Sequence, residues 1–362
     1  KELAEACAPI CDLDGIRLLL SRTAQMQEIV SSGLPFPCTT YPDIAKPAGL
    51  LRIEGSTLAE GQFMEIALFL EVMRDMHSFF RNRIGVHPEL AAILESAPYE
   101  PIILERINEV LDEHGKVRTS ASPELGRIRR SLQRSRIEAD RLYGSILSKY
   151  RKQGYLTEAE ESSRNGRRVI AIMAEQKRVL PGIIHDTSAT GKTAFLEPEE
   201  AVGVNNSLAT LEHEEQKEIR RIMRQLTDST RRFGPVLILY REQLGLMDFN
   251  RAKAIFSISI NGTVPTIASE PFLKLKRARH PILFLQNKKL KKDTVPFDLE
   301  LNEENRILVI SGPNAGGKTV CMKTSGVLQM MLQSGIPISA HESSEMGIFQ
   351  NLFVDIGDSQ SI

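Results

Sequence analysis

The stretch Arg306-Ile307-Leu308-Val309-Ile310-Ser311-Gly312-Pro313-Asn314-Ala315-Gly316-Gly317-Lys318-Thr319 decides how the rest of the chain is read. Residues 307–310 are a short apolar, β-branched run, the pattern of a buried strand. They lead directly into Gly312, Pro313, Asn314, Ala315, Gly316, Gly317, Lys318 and Thr319, which fit the phosphate-binding pattern G-x-x-x-x-G-K-[ST] without a mismatch. Glycines let successive backbone N–H groups converge on one phosphate chain. A lysine there adds a point charge towards the β- and γ-phosphates, and the threonine hydroxyl can ligate Mg²⁺. Residues 319–333 read as a helix whose N-terminus faces the phosphates and which ends before Gly335. Strand, loop and helix in this order imply a nucleoside triphosphate and Mg²⁺ as ligands.

The chain has 362 residues, long enough for two or three domains, and its 46 basic and 46 acidic side chains cancel, so any nucleic-acid surface has to be local. Cys7, Cys11, Cys38 and Cys321 form no C-x-x-C pair and no metal-ligand spacing, which reads as reduced thiols in a cytoplasmic protein. No apolar run approaches about 18 residues, so no membrane span is expected. Only 43 residues follow Thr319, fewer than a whole nucleotide-binding domain takes, so the chain reads as a fragment.

Upstream, residues 1–117 read as a helical lever domain. Helices are expected over 13–30, from a capping box at Thr57 and Glu60 to about 83, and over 102–111. Met64, Ala67, Leu68, Val72, Phe79 and Phe80 are the expected buried stripe of the middle one. Residues 118–235 read as a coiled-coil arm. Ser122-Pro123-Glu124 is a helix start, with an N-cap serine, proline at the first helical position and an acid beside the positive helix end. Leu125, Ile128, Leu132, Ala139, Leu142 and Ile146 then follow at three- and four-residue steps, with Ser135 completing the seam. A second stripe, Leu208, Leu211, Ile222, Leu226 and Phe233, lies on a helix over about 202–233, and the pair predicts an antiparallel arm.

Between the two helices, residues 154–198 predict a small β-containing clamp tip with strands over 169–173, 180–185 and 193–196. Arg164, Arg167, Arg168, Lys177, Arg178 and Lys192 meet only Glu175 and Asp186 among the acids of 164–192, and residues 127–152 of the first arm helix are similarly basic. A basic tip in a neutral protein points to phosphate-backbone contact with nucleic acid; few aromatics are interleaved, so base stacking is not indicated. A further helix is expected over 245–257. The third region, 236–362, reads as the N-terminal part of a P-loop α/β domain. The fold class is therefore mixed α and α/β. Residues 352–355 have the apolar-run-plus-Asp look of a Walker B strand, but no acid follows Asp355 directly, so no catalytic residue is assigned within the chain.

The loop Gly312-Pro313-Asn314-Ala315-Gly316-Gly317-Lys318-Thr319 is more specific than a general phosphate loop. It resembles the GPN-x-[GA]-GK-[ST] loop of the MutS ATPase family, a branch of the ABC-type ATPases. Arg279-His280-Pro281 is similar to the family's R-H-P, the stretch 335–340 to its G-x-x-(V/I)-P-A strand, and 353–358 to its R-I-G-A segment. Residues 181–191 (PGIIHDTSATG), 195–198 (FLEP) and 120–125 (SASPEL) resemble the MutS-two branch. The resemblance implies a homodimeric, ABC-type ATPase fed by lever helices and a clamp, acting on branched or duplex DNA, usually with a C-terminal nuclease domain. It also implies an alternative partner, the ribosome and its rRNA. The general base, a Walker B glutamate, is expected outside the chain, and the residue stacking on adenine in many relatives falls near Thr294, which points to Val295. A small-molecule P-loop kinase and a non-catalytic scaffold are the competing classes.

Overall fold

A computed structural model describes residues 2–37, 40–312 and 317–355. The chain divides into two compact units, one of residues 1–45, 68–101 and 235–362, the other of residues 46–67 and 102–234. These boundaries cut across the sequence ranges 1–117, 118–235 and 236–362.

The second unit is built on two long helices, α7 (Pro123–Lys152) and α8 (Glu199–Arg231). Ser122 caps α7 as its sequence dictates, its hydroxyl accepting the Leu125 N–H at 3.0 Å while donating to Glu218 on α8 at 2.6 Å. Leu125, Ile128, Leu132, Ala139 and Ile146 are buried, with Tyr143 and Tyr150 completing the stripe. On α8 the buried positions include Ile222, Met223 and Leu226. Cross-helix ion pairs Arg129–Glu215, Arg136–Glu212 and Lys149–Glu200 run in opposite sequence directions, so the helices are antiparallel. The connection between them is a four-stranded antiparallel sheet of β1 (Leu156–Arg164), β2 (Arg167–Met173), β3 (Gly182–Thr187) and β4 (Thr193–Pro198), in the order β1-β2-β4-β3. Strand β1 was absent from the sequence reading: LTEAEESSR carries no apolar alternation, and pairing with β2 holds it as a charged edge strand.

The first unit packs α2 (Leu13–Ser31), α9 (Gly234–Ser259), α11 (Lys318–Gln333) and a second sheet around one core that includes Ile16, Leu20, Leu275, Leu328, Leu332 and Met346. Helix α9 begins eleven residues before the expected 245. The sheet has the order β5-β8-β6-β7, from β5 (Thr266–Ala268), β6 (Leu273–Ala278), β7 (Phe297–Leu301) and β8 (Glu345–Gly347); β5 and β8 are parallel and the other pairs antiparallel.

Three local expectations differ from the structure. Helix α4 (Glu60–Arg81) is entered through Gln62, whose side chain accepts the Ala59 N–H at 2.9 Å, so no Thr57–Glu60 box forms. Its buried positions are Phe63, Ile66, Ala67, Phe69, Leu70, Met73, Met76 and Phe80, while Leu68 is exposed; the stripe is rotated from the expected one. Residues 335–340 form no strand: Ile338 makes only an isolated bridge to Thr263. The apolar run 307–310 is likewise not a strand, and Ile307 and Val309 are 85% and 82% exposed. A β-branched sequence supplies the preference for extended backbone, but a strand exists only through hydrogen bonds to neighbours, and no described residue pairs with this run.

Glu218 joins the arm helices at a site shielded from water. The hydrogen-bonded Arg221 guanidinium, then Ser122, hold its carboxyl down at about 2. Because the folded value lies below the unfolded one, its stabilisation is complete above about pH 4.5 and is lost as pH falls towards 2. Glu218→Gln should cost about 2 kcal/mol near neutral pH. Denaturant titrations of both proteins should show the gap closing with acidification; an equal gap at pH 3 and pH 7 would rule this role out.

Candidate nucleotide loop and basic tip

The phosphate-loop residues Pro313, Asn314, Ala315 and Gly316 lie outside the described residues; Gly312, Gly317, Lys318 and Thr319 flank them. Gly312 and Gly317 take φ values of 143° and 84°, in the region that favours glycine, and an added Cβ at either would meet no described residue within 4 Å. The loop ends are thus open to close approach by a ligand. Gly317 caps α11, and the Lys318 ammonium donates to the Gly312 carbonyl, drawing the two ends of the loop together. Thr319 is exposed in the first turn, at the positive end of the helix dipole.

The helix carrying these residues is fixed at its far end. Gly335, at φ 69°, lets the Ile336 N–H return to Met331 O at 2.8 Å, a left-handed helix stop. A side chain at Gly335 would also collide with Leu19 of α2. The buried Lys253 ammonium donates to Ser334 O at 2.8 Å, placing a cation on the helix C-terminus.

Arg279, His280 and Pro281 lie beside this helix. His280 is structural: its Nδ1 accepts the Leu283 N–H at 3.4 Å and so caps α10 (Pro281–Lys289), with Pro281 at the first helical position. Burial, and secondarily the Lys323 charge, push its pKa down. Arg279 lies over the Phe284 ring at 5.6 Å and its Nε donates to Thr294 O at 3.4 Å. With Lys288, Lys291, Lys292, Asp293 and Thr294 these two residues line a hollow of about 360 Å³. Val295, the expected adenine contact, is exposed next to Thr294. Residues 352–355 are exposed and form no strand, Phe353 being 93% exposed, and 356–358 lie outside the described residues.

At the tip the six basic candidates divide. Arg164 pairs with Asp186 at 3.2 Å and covers the Phe195 ring at 3.8 Å. Arg167 pairs with Glu197 at 2.7 Å, and Arg168 with Asp140 and Glu161. Counting acids only within 164–192 missed all of these partners except Asp186, because the tertiary fold brings them from α7, β1 and β4. Lys177, Arg178 and Lys192 are exposed and form no ion pair among the described residues. Part of the apparent charge excess of α7 is likewise matched by α8, through Arg129, Arg136 and Lys149, while Arg130, Arg134 and Arg141 remain exposed and outside those pairs.

The sequence reading also missed the network that holds the tip. Glu197 on β4 is fully buried; it accepts from Arg167 on β2 at 2.7 Å and from Asn205 on α8 at 2.9 Å, and meets His185 Nε2 on β3 at 2.5 Å. Asn205 also donates to the Tyr143 hydroxyl of α7 at 2.9 Å, and that hydroxyl donates to the Arg168 carbonyl. Burial alone would raise the Glu197 pKa, but hydrogen bonds from Asn205, His185 and Arg167 outweigh it and hold the carboxyl below its ordinary range. The signal was present: His185 and Glu197 fall within the two stretches 181–191 and 195–198 already singled out by resemblance.

No family model matches the chain. Curated relatives do. The Endonuclease MutS2 of Pelotomaculum thermopropionicum is 35% identical over 309 residues, 85% of this chain and 38% of that protein. The Endonuclease MutS2 of Bacillus velezensis is 36% identical over 361 residues, covering 98% of this chain and 45% of the relative. That of Acetivibrio thermocellus is 34% identical over 369 residues, covering all of this chain and 45% of the relative. The chain spans less than half the length of these relatives.

Removing the buried carboxylate should release the tip. Glu197→Ala leaves Arg167 and His185 facing an empty acceptor position and should cost roughly 3 kcal/mol. Hydrogen exchange should show β3 and β4 losing protection before the arm helices; unchanged protection in those strands would dismiss the network as their anchor.

Proposed function

The chain belongs to the MutS2 family, and on that premise we propose that it is the arm and nucleotide-loop portion of an ATP-dependent nucleic-acid clamp. The observation carrying this reading is the pairing, within one chain, of a phosphate-loop pattern at a helix N-terminus with three exposed cations in the turns that join the strands closing a two-helix arm, none of them in an ion pair among the described residues.

For the nucleotide, the open backbone at Gly312 and Gly317 fits a phosphate chain, and the two glycines leave room that a side chain would fill. Residues 312–317 would cradle the phosphates, Lys318 would exchange the Gly312 carbonyl for the β- and γ-phosphates, and the exposed Thr319 hydroxyl would hold Mg²⁺. Bound Mg²⁺ would neutralise phosphate charge. No residue of the chain is assigned as general base, so the chain should bind ATP weakly and turn it over negligibly. In the whole protein the nucleotide would sit at a homodimer interface of the ABC type, and its state would set the grip of the arms.

For the nucleic acid, Lys177, Arg178 and Lys192 suit backbone phosphates of duplex or branched DNA, and no aromatic platform accompanies them for base stacking. The relatives' printed names make those proteins endonucleases. Cleavage by the whole protein would require residues beyond those assigned here; among the described residues no cluster of three His, Cys, Asp or Glu could hold a metal ion.

Two measurements test the reading. Lys318→Ala should weaken binding of a fluorescent ATP analogue at least tenfold, and robust ATP turnover by this chain, lost in that variant, would refute the assignment of the base elsewhere. Replacing Lys177, Arg178 and Lys192 together by alanine should lower the slope of log affinity against log salt for duplex DNA by about 3. An unchanged slope would remove the tip from the DNA contact.

A further inference from the structure

The nucleotide loop and the tip leave one sizeable hollow without a role. It lies between α4 and α5 (Pro88–Glu95), has a volume of about 700 Å³, and is lined wholly by residues between 74 and 101. The basic hollow at Arg279 has about half that volume. Sites for small organic ligands fall in the range of roughly 300–1,000 Å³.

Its chemistry is divided between walls and rim. Phe80, Ala91 and Leu94 lie at its base and are almost wholly covered, while the exposed Ile84, Pro98 and Pro101 supply the apolar surface that faces the hollow. Arg74 and Arg81 supply two cations against one lining carboxylate, Glu95. Arg74 pairs with its neighbour Asp75, whereas Arg81 is exposed and makes no ion pair among the described residues. His77 lies on the same helix face, one turn from each arginine. Its Nε2 is buried with no hydrogen-bond partner, and burial, helped by the Arg81 charge, pushes its pKa down and leaves the ring neutral. An apolar surface beside a cationic rim is complementary to one class of molecule.

We infer that this cleft binds a small amphiphilic organic anion, its apolar body against Ile84, Pro98 and Pro101 and its acidic head at Arg81 and Arg74. A planar guanidinium forms two parallel hydrogen bonds with a carboxylate or sulfonate, which orients the head at the rim. Glu95 repels a head placed on the opposite side and so fixes the direction of binding. A purely apolar ligand would leave the arginines unused, and an inorganic anion would leave the apolar surface wet. The site is independent of the nucleotide and nucleic-acid readings.

The test uses the intact chain with 8-anilinonaphthalene-1-sulfonate as fluorescent probe and decanoate as competitor. One saturable site, displaced by decanoate, is expected. Arg81→Glu reverses the rim charge and Ser78→Trp crowds the cleft from an exposed lining position; each should weaken dye binding at least tenfold. Phe353→Ser, which removes exposed apolar surface elsewhere, should leave the affinity unchanged. Thermal melts followed by circular dichroism verify that each variant is folded, and either cleft variant suffices. Dye affinity that falls in Phe353→Ser but not in the cleft variants, or a bound dye that decanoate does not displace, overturns the assignment.

Discussion

A carboxylate taken wholly out of water must be given partners, and the tip of the arm is arranged around meeting that demand at Glu197. Its two oxygens draw Arg167 from β2, His185 from β3 and Asn205 from α8, so satisfying one side chain fixes four elements at once. Asn205 then extends the constraint to Tyr143 on α7. Apolar burial of Ile170, Ile172 and Leu196 on the same sheet is non-directional and would tolerate small shifts of the strands. The polar network does not, because each hydrogen bond prescribes a distance and an angle. The position of the exposed cations at the tip follows from it.

The same division of labour appears in the nucleotide-loop unit. Helix α11 is anchored away from the loop, by the left-handed stop at Gly335, the close approach to Leu19 and the Lys253 ammonium on its last carbonyls. The opposite end begins with Gly317, whose position leaves an added Cβ clear of the described residues, and carries the exposed Thr319. A phosphate site of the kind proposed needs donors pre-set in direction and backbone free to approach, and a helix anchored at one end and exposed at the other suits both requirements.

What the sequence disclosed depended on whether the deciding interaction was local. Ser122, Pro123 and Glu124 act within one helical turn, and α7 starts where they place it. The phosphate loop is also a local motif, and its flanking glycines adopt the backbone conformations that their lack of a side chain allows. Strand β1 was invisible because LTEAEESSR owes its conformation to β2 rather than to its own residues. Residues 307–310 show the converse: a strong local preference with no described partner yields no strand. Charge failed for the same reason. Arg167 and Arg168 look unopposed in a window of sequence, yet Asp140, Glu161 and Glu197 come from other elements to meet them.

Those arginine pairs also sharpen what a nucleic-acid surface on this tip can be. A guanidinium already bonded to a carboxylate has little to gain from a phosphate, because it must first leave a partner of the same charge and similar geometry. Arg167 is the strongest case, since its release would strand a buried carboxylate. In the proposed nucleic-acid reading, contact with a polyanion would fall to the cations that form no ion pair among the described residues, Lys177, Arg178 and Lys192. Two of these are lysines, whose hydrated, freely rotating charges bind phosphate with little directional demand. Backbone contact of that kind carries no base sequence. A tip built this way suits the charge and shape of a nucleic acid, and the ordered arginines beneath it serve to keep the platform rigid.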